Sequence, residues 1–259
     1  MLLPSLDAAR NYDHIYIAPH LDDAVLSCGG QIALAVADGA RVLVVTLCAG
    51  SLPADAELTP FAQYLHQAWA LGDDPIAQRR AEDAAALAVL RCDGLQLNQL
   101  DAPYRVAAYG EPDAWRGRVV ADDPLIIASR AILERLHVQQ PAAPLYVPLG
   151  VGGHVDHQVV CASGMALREA GASMAWYEDA PYAAKEPAAI ERRLAELGWS
   201  LRPEIVSIGA TIERKLRAIG VYASQLRELF GDADMAQVMT AYAARVAASQ
   251  RDFAERLWR

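Results

Sequence analysis

Two short segments of the chain carry residue types that bind catalytic metal ions. The first contains His20, Asp22 and Asp23, and the second contains His154 and His157. Imidazole nitrogens and a carboxylate, in a chain without the cysteine spacing of a structural zinc site, suit a catalytic Zn²⁺ with one position open for water. Fe²⁺, Mn²⁺ and Co²⁺ accept the same ligand types. We therefore expect one metal site built from both segments.

The spacing of these residues divides them between binding and catalysis. His20 and Asp23 lie three positions apart, so one turn at the start of a helix directs both to a common point, and His157 supplies a third ligand. Asp22 points elsewhere and is expected to be the general base that takes a proton from metal-activated water. His154 is expected to donate to the developing oxyanion or to the leaving nitrogen. Such a site predicts attack of water on a carbonyl group.

Each segment taken alone has a simpler interpretation. Adjacent aspartates before an apolar run often cap a helix, and a His-x-x-His pattern at a helix start is often only polar surface or a capping pair. The metal interpretation is favoured because both segments follow a predicted strand, and Gly152 and Gly153 let a ligand or backbone come close to the second.

The pattern of elements predicts an α/β fold. Strand, helix and strand within about 35 residues at the start form a βαβ unit, which implies a parallel sheet with right-handed crossovers. The predicted strands span residues 14–18, 41–47, 95–100, 145–148, 175–178 and 204–208. The predicted helices span residues 24–38, 78–90, 125–137, 158–170, 186–197, 211–229 and 235–257. We expect a single Rossmann-like domain over residues 1–259, with helices on both faces and irregular substrate-side excursions at about 49–77 and 101–123.

Composition excludes several classes of protein. Hydrophobic residues make up 54% and charged residues 21% of the chain, which is typical of a compact globular protein. The net charge of −9 without a basic block argues against binding to nucleic acid or an anionic membrane. The chain has no apolar run of the roughly 20 residues that span a bilayer and no signal-peptide pattern, so a cytoplasmic location is expected. The cysteines are expected to be buried free thiols: Cys28, Cys48, Cys92 and Cys161. A homo-oligomer is left open.

With these motifs, the chain resembles the LmbE-like, PIG-L-type zinc N-deacetylases. Those enzymes remove acetyl from N-acetylglucosamine-type groups on glycolipids, thiol glycosides and antibiotics. Their first motif, His-Pro-Asp-Asp-Glu, stands here as His-Leu-Asp-Asp-Ala, and their second as Gly-His-Val-Asp-His. The resemblance implies that His20, Asp23 and His157 bind zinc, that Asp22 is the base and that His154 is its oxyanion or acid partner. It also implies an LmbE-like deacetylase domain acting on a small amino-sugar substrate or glycoconjugate.

The first motif departs from the family pattern at two positions. Leu21 replaces the proline and Ala24 replaces the acidic residue, and neither position is a ligand or the base. The chemistry is therefore retained, whereas the substrate is left open. A hydratase branch of the same fold lacks the first of the two acids, and this chain keeps Asp22, which favours hydrolysis. Hydration of an unsaturated carboxylic acid is the alternative, and a closed four-ligand zinc site without turnover is a third hypothesis.

Four polar residues outside the two motifs are candidates for contact with the substrate. Arg79 and Arg80 open a predicted helix, and Asp101 and Arg105 follow a predicted strand. A solvated helix turn and a loop cap are the respective alternatives. The acidic pair at positions 178–179 is expected either to orient a ligand histidine or to form a turn.

Overall fold

A computed structural model describes residues 1–53, 55–69, 71, 74–249 and 252–259. The strands are β1 (His14–Ala18), β2 (Val42–Thr46), β3 (Asp93–Gln96), β4 (Leu145–Pro148), β5 (Met174–Tyr177), β6 (Pro203–Ser207) and β7 (Ala254–Trp258). The helices are α1 (Asp23–Ala37), α2 (Pro60–Trp69), α3 (Pro75–Leu90), α4 (Ala102–Arg105), α5 (Pro124–Gln139), α6 (Val155–Glu169), α7 (Tyr182–Lys185), α8 (Ala188–Leu197), α9 (Ile212–Ile219), α10 (Ala223–Phe230) and α11 (Met235–Val246). In these ranges, no helix is long and apolar enough to cross a membrane.

The strands form one sheet in the order β3-β2-β1-β4-β5-β7-β6. Strands β1 to β5 pair in parallel, and β7 runs antiparallel to both β5 and β6. This confirms the mostly parallel α/β fold. The chain moves from β1 out to β2 and β3, and then returns to the other side of β1 with β4. The switch of direction leaves a crevice at the carboxyl ends of β1 and β4, where open α/β sheets bind ligands.

Alternating side chains of the central strands enter two separate cores. On β1, Ile15 and Ile17 belong to the same buried cluster as apolar residues of α5 and α6. Tyr16 and Ala18 belong instead to the cluster that contains residues of α1, α3 and α9. Because both faces of the sheet are covered, its central strands carry apolar side chains on both sides, and all five residues of β2 are buried.

Close packing against α9 and against Ile208, which precedes α9, fixes the position of α1, the helix that carries Asp23. A Cβ atom added to Gly30 would meet Ile208 at 2.6 Å, and one added to Gly29 would meet the side chain of Lys215 at 3.1 Å. Each glycine costs about 1 kcal/mol of helix propensity relative to alanine. The close approach explains why glycines occupy the middle of this helix, and it holds the first turn of α1 at the crevice.

The prediction of a helix over residues 235–257 is wrong at its carboxyl end. Helix α11 ends at Val246, and β7 inserts between β5 and β6. Residues 250 and 251 of that prediction lie outside the described ranges. Strand β7 buries Glu255, which accepts a hydrogen bond from Lys215 Nζ at 2.7 Å. A charged residue that needs a distant buried partner is not distinguishable by sequence periodicity from one on a solvated helix face.

Other element boundaries differ from the predictions in smaller ways. The predicted helix over residues 211–229 is divided into α9 and α10, and the Tyr222 hydroxyl between them donates to Asp83 at 2.8 Å. The excursion at 49–77 holds α2 and the start of α3, while residues 54, 70, 72 and 73 of it lie outside the described ranges. The excursion at 101–123 holds α4 and two 3₁₀ turns. All four cysteines are buried free thiols, as predicted.

Candidate active site

The two histidine motifs lie side by side at the crevice between β1 and β4. His20 and Asp23 connect the end of β1 to the start of α1, and the Asp23 carboxylate accepts the backbone N–H of His20 at 2.7 Å. His154 caps α6, where its Nδ1 accepts the backbone N–H of Asp156 at 3.2 Å. His157 lies one turn further along α6 and is buried. Both motifs are therefore held by helix starts that follow adjacent parallel strands.

Three side-chain atoms converge on a nearly equilateral triangle. His20 Nδ1 lies 3.3 Å from Asp23 Oδ2 and 3.2 Å from His157 Nε2, and the third edge, from His157 Nε2 to Asp23 Oδ2, measures 3.4 Å. A tetrahedral Zn²⁺ with ligand bonds of about 2.0–2.1 Å holds its ligand atoms about 3.3–3.4 Å apart. The donor atoms of these three residues therefore fit a tetrahedral metal with a fourth position free.

A second set of candidate ligands includes His154. One of its ring nitrogens lies within 4.8 Å of the ring nitrogens of His20 and His157, so three histidines also form a cluster. However, Nδ1 of His154 is engaged by a backbone amide, whereas Asp23 Oδ2 is within 3.4 Å of a ring nitrogen of both His20 and His157. The geometry favours Asp23 as the third ligand and leaves His154 beside the site.

His20 and His157 each contact a buried carboxylate with the ring nitrogen that lies outside the triangle. His20 Nε2 lies 3.0 Å from Asp156 Oδ2, and His157 Nδ1 lies 2.6 Å from Asp179 Oδ1. Burial lowers the pKa of His157, but Asp23 and Asp179 outweigh burial and raise this pKa to about 10. Carboxylates that accept from the outer nitrogen fix the ring and its tautomer, as around many metal sites. The surplus of carboxylates favours a cation at this point of the fold.

Asp156 is positioned by a buried ion-pair network that sequence reasoning did not identify. Arg105 Nη2 donates to Asp156 Oδ1 at 2.5 Å, and the same guanidinium makes two hydrogen bonds to Asp123, at 2.7 and 2.8 Å. The backbone N–H of Ala102 donates to the other oxygen of Asp156 at 3.1 Å. This series of contacts therefore fixes the ring of His20. It joins residues from distant parts of the sequence: Asp123, Arg105 and Asp156.

Replacing Arg105 with methionine is expected to lower the free energy of unfolding by about 3–5 kcal/mol. The substitution leaves Asp123 and Asp156 as buried carboxylates without their cation. Chemical denaturation followed by circular dichroism measures the loss. Arg130→Met is the matched control, because Arg130 forms an exposed (i,i+4) pair with Glu134 that is worth about 0.5 kcal/mol or less. Equal losses in the two variants would contradict the assigned role of Arg105.

Asp22 lies beside the triangle on a strained backbone. Its φ of +137° is one that residues other than glycine rarely adopt. Asp22 Oδ2 lies 3.7 Å from Arg79 Nη2, and that nitrogen also donates to the Leu21 carbonyl at 3.3 Å. Burial and the neighbouring Asp23 raise the pKa of Asp22 to about 8, against the opposing effect of Arg79. In its ionised form, a carboxylate with a raised pKa is a stronger base than a solvated aspartate.

His154 is positioned to donate a hydrogen bond into the site. Burial and the nearby His20 lower the pKa of His154 to about 3, so its imidazole is neutral. Because Nδ1 accepts from the backbone, the single ring proton lies on Nε2. Trp115 packs against this ring with a centroid distance of 5.0 Å. The result is a neutral N–H donor next to the candidate metal position.

These groups open into a cavity at the surface of the protein. Of the four residues predicted to contact the substrate, Arg79 and Asp101 line this cavity, whereas Arg80 and Arg105 are not among its described lining residues. Arg80 donates to Gln96 at 3.2 Å, and Arg105 has the buried role given above. Asp101 Oδ1 also lies 3.3 Å from His20 Nε2. The remaining lining residues are His20, Asp22, Asp23, Leu26, Phe61, Leu65, Trp69, Pro103, Trp115, Arg116, His154, Ala180, Pro181, Tyr182, Lys185, Gln225, Glu228 and Leu229.

The two acidic residues that follow β5 have different partners. Asp179 contacts His157 and also accepts the backbone N–H of Val151 at 2.8 Å, so it has the orienting role. Glu178 does not contact a ligand histidine; it accepts hydrogen bonds from Arg256 and Trp258 of β7. Successive residues after a strand point in opposite directions, and only the position of β7 decides which of the two faces the site.

The chain is similar to one known protein family and to several deacetylases. Residues 15–170 match the PIG-L family, described as GlcNAc-PI de-N-acetylase. The 2'-N-acetylparomamine deacetylase of Streptomyces fradiae is 28% identical over 222 residues, which cover 82% of this chain and 72% of that protein. The structure of the A40926 pseudoaglycone deacetylase Dbv21 has a TM-score of 0.78 and 31% identity, covering 96% of this chain and 97% of that one. The zinc-inhibited form of the teicoplanin deacetylase Orf2 has a TM-score of 0.77 and 27% identity, covering 94% and 96%.

Proposed function

The chain belongs to the PIG-L family of GlcNAc-PI de-N-acetylases, and on that premise we propose that it is a zinc-dependent N-deacetylase of an amino sugar or its glycoconjugate. The glycoconjugates we have in mind are antibiotic precursors, since similar proteins are named as deacetylases of 2'-N-acetylparomamine and of the A40926 pseudoaglycone. The reaction is hydrolysis of an amide to acetate and a free amine.

One observation carries this proposal. The triangle of His20 Nδ1, Asp23 Oδ2 and His157 Nε2 has the edge lengths of a tetrahedral zinc site, and it opens to a cavity that Asp22 and His154 also line. A ligand set with one free position, a carboxylate and a neutral imidazole N–H donor are the parts that hydrolysis of an amide requires.

A metal would be held by His20, Asp23 and His157, and two carboxylates contact the histidines. Asp156 contacts the outer nitrogen of His20, and Asp179 contacts that of His157. When bound, a zinc ion supplies Lewis acidity, which polarises a carbonyl group and makes water more acidic. Sites of this ligand type also accept Fe²⁺, Mn²⁺ or Co²⁺.

The residues of this chain account for the proton transfers. Asp22 accepts a proton from the attacking water as its oxygen bonds to the amide carbon. His154 donates Nε2–H to the carbonyl oxygen, on which negative charge develops. The proton held by Asp22 then passes to the nitrogen as the carbon–nitrogen bond breaks. Acetate and the amine leave, and both side chains return to their starting protonation states.

Acetate release from a panel of N-acetylated sugars tests the proposal. The purified protein, reconstituted with Zn²⁺, is incubated with N-acetylglucosamine, its glycosides, 2'-N-acetylparomamine and the A40926 pseudoaglycone. We expect equal amounts of acetate and new primary amine from at least one member, by enzymatic acetate assay and mass spectrometry. Consumption of an unsaturated carboxylic acid, without acetate release from any amide, would instead favour the hydratase alternative.

A further inference from the structure

One buried polar side chain of the cavity wall has no part in the metal site or in the proton transfers. Gln225 lies in the first turn of α10, lines the cavity and is 4% exposed. Its two amide atoms differ in kind, because the nitrogen only donates hydrogen bonds and the oxygen only accepts them. What Gln225 can recognise therefore depends on which of the two atoms faces the cavity.

The orientation of this amide is set by Ser224 and Glu82. The Ser224 hydroxyl lies 2.5 Å from Glu82 Oε2 and donates its only proton to that carboxylate. The hydroxyl oxygen can then only accept, and it accepts from Gln225 Nε2 at 2.9 Å. The opposite orientation would place the Gln225 oxygen against a hydroxyl oxygen whose proton is already engaged. The amide nitrogen therefore faces Ser224, and the amide oxygen faces away from it.

The Glu82 carboxylate is itself fixed at the start of α10. Its other oxygen accepts the backbone N–H of Ser224 at 3.0 Å, which is one of the helix-start groups without a partner inside the helix. A second contact, from the Tyr222 hydroxyl to Asp83 at 2.8 Å, joins the same end of α10 to α3. Helix α3 also carries Arg79 to the cavity. Gln225 is therefore held in a fixed position relative to another wall of the site.

The protein provides no donor for the oxygen of Gln225. Among the residues that the structure describes, neither a side chain nor a backbone N–H donates to Gln225 Oε1. This oxygen is also not one of the described partnerless atoms that are sealed from solvent, so it opens on the cavity. Once a substrate has displaced water from the cavity, an acceptor of this kind needs a donor from the substrate.

We propose that the Gln225 carbonyl oxygen is a specificity-determining acceptor for a hydroxyl group of the substrate's sugar ring, positioned by Ser224 and Glu82. The inference rests on the deacetylase function and deepens it by naming a donor group that the substrate must carry. A hydroxyl donates to this oxygen, whereas a hydrogen, an ether oxygen or a carboxylate at the same place leaves the acceptor without a donor. Because the amide carries no charge, this contact selects a hydrogen-bond donor and not a charged group.

A double-mutant cycle between enzyme and sugar tests the proposal. The substrates are the methyl glycoside of N-acetylglucosamine and its 3-, 4- and 6-deoxy analogues. The enzymes are the wild type and Gln225→Met, which keeps the length of the side chain without the acceptor oxygen. We expect one deoxy analogue to lose about tenfold in kcat/KM with the wild type and about twofold or less with Gln225→Met. The loss should lie in KM, because the hydroxyl is bound alike before and during the reaction.

Ser224→Ala tests how the amide is positioned. The substitution removes the acceptor of Gln225 Nε2 outside the described lining of the cavity, so the amide can turn. The wild-type discrimination against that deoxy analogue should then fall to about threefold. A general loss of structure would instead lower kcat/KM for all four sugars alike and leave their ratio unchanged. Gln237→Met is the matched control, because Gln237 is an exposed glutamine of α11, and it should keep the wild-type ratio.

Two kinetic results would overturn the proposal. One is a set of deoxy losses that is the same in the wild type and in Gln225→Met, and the other is a wild type that does not distinguish any deoxy analogue from its parent. Titration calorimetry with the corresponding deacetylated amino sugars measures the same coupling without turnover. Acetate release without coupling would refute this inference alone, whereas coupling in the calorimetry without acetate release would refute only the deacetylase function.

Discussion

Replacing Asp22 with asparagine is expected to lower kcat for acetate release by about 10²- to 10⁴-fold. The amide has nearly the shape of the carboxylate but cannot accept the proton of the attacking water. Asparagine also tolerates positive φ better than most residues, so the backbone at φ +137° is retained. We expect zinc content and thermal stability close to those of the wild type, because the three ligand atoms lie on other residues.

The measurement for Asp22→Asn is kcat on a confirmed substrate, together with the zinc content of the same preparation. Asp38→Asn is the matched control, since Asp38 is exposed at the opposite end of α1 and should leave both values unchanged. If the Asp22 variant kept more than about a tenth of the wild-type rate with full zinc content, Asp22 would not be the base. The proton would then have to pass to another carboxylate that lines the cavity.

The second large effect is expected from His157→Ala, which should remove both metal and activity. Only His20 and Asp23 would remain as ligands, and two protein ligands are too few to hold a catalytic zinc ion tightly. Asp179 would also lose its partner and remain as a buried carboxylate. We expect less than about a tenth of the wild-type zinc after dialysis, by elemental analysis, and no acetate release above background.

His154→Ala provides the contrast, because it should keep the zinc and lose about 10²- to 10³-fold in kcat if its Nε2–H stabilises the oxyanion. His137→Ala, at the far end of α5, should change neither value. Chelation of the wild type should abolish activity, and added Zn²⁺ should restore it. A His154 variant that lost its zinc as completely as the His157 variant would show that the three histidines, rather than the set with Asp23, bind the metal.

Much of the fold could be predicted from local pattern, and the failures share one cause. Strand β2 was recognisable because a run of four apolar residues followed by a threonine, all buried here, is long enough for a strand and too short for a helix. Strand β7 was not, because the sequence around Glu255 contains a charge and reads equally well as an exposed helix face. Only the distant partner Lys215 makes burial of that charge acceptable.

The sequence by itself determined the candidate ligands and the base, because each follows a strand and opens a helix. That position is encoded within a few residues, and adjacent parallel strands place their carboxyl ends at one edge. Asp156, which lies inside the second motif, could have been found in the same way, but nothing in its neighbourhood indicated that Arg105 and Asp123 would fix it.

Only the tertiary structure decided the surroundings of this site. The sequence made Arg105 a candidate for substrate contact, but its guanidinium is buried between two carboxylates. Arg116 was not a candidate from the sequence, yet it lines the cavity. Whether an arginine faces a ligand, an ion pair or water depends on residues far away in the chain. The short-range spacing of a helix start thus sets the chemistry, whereas long-range packing sets which charged side chains line the cavity.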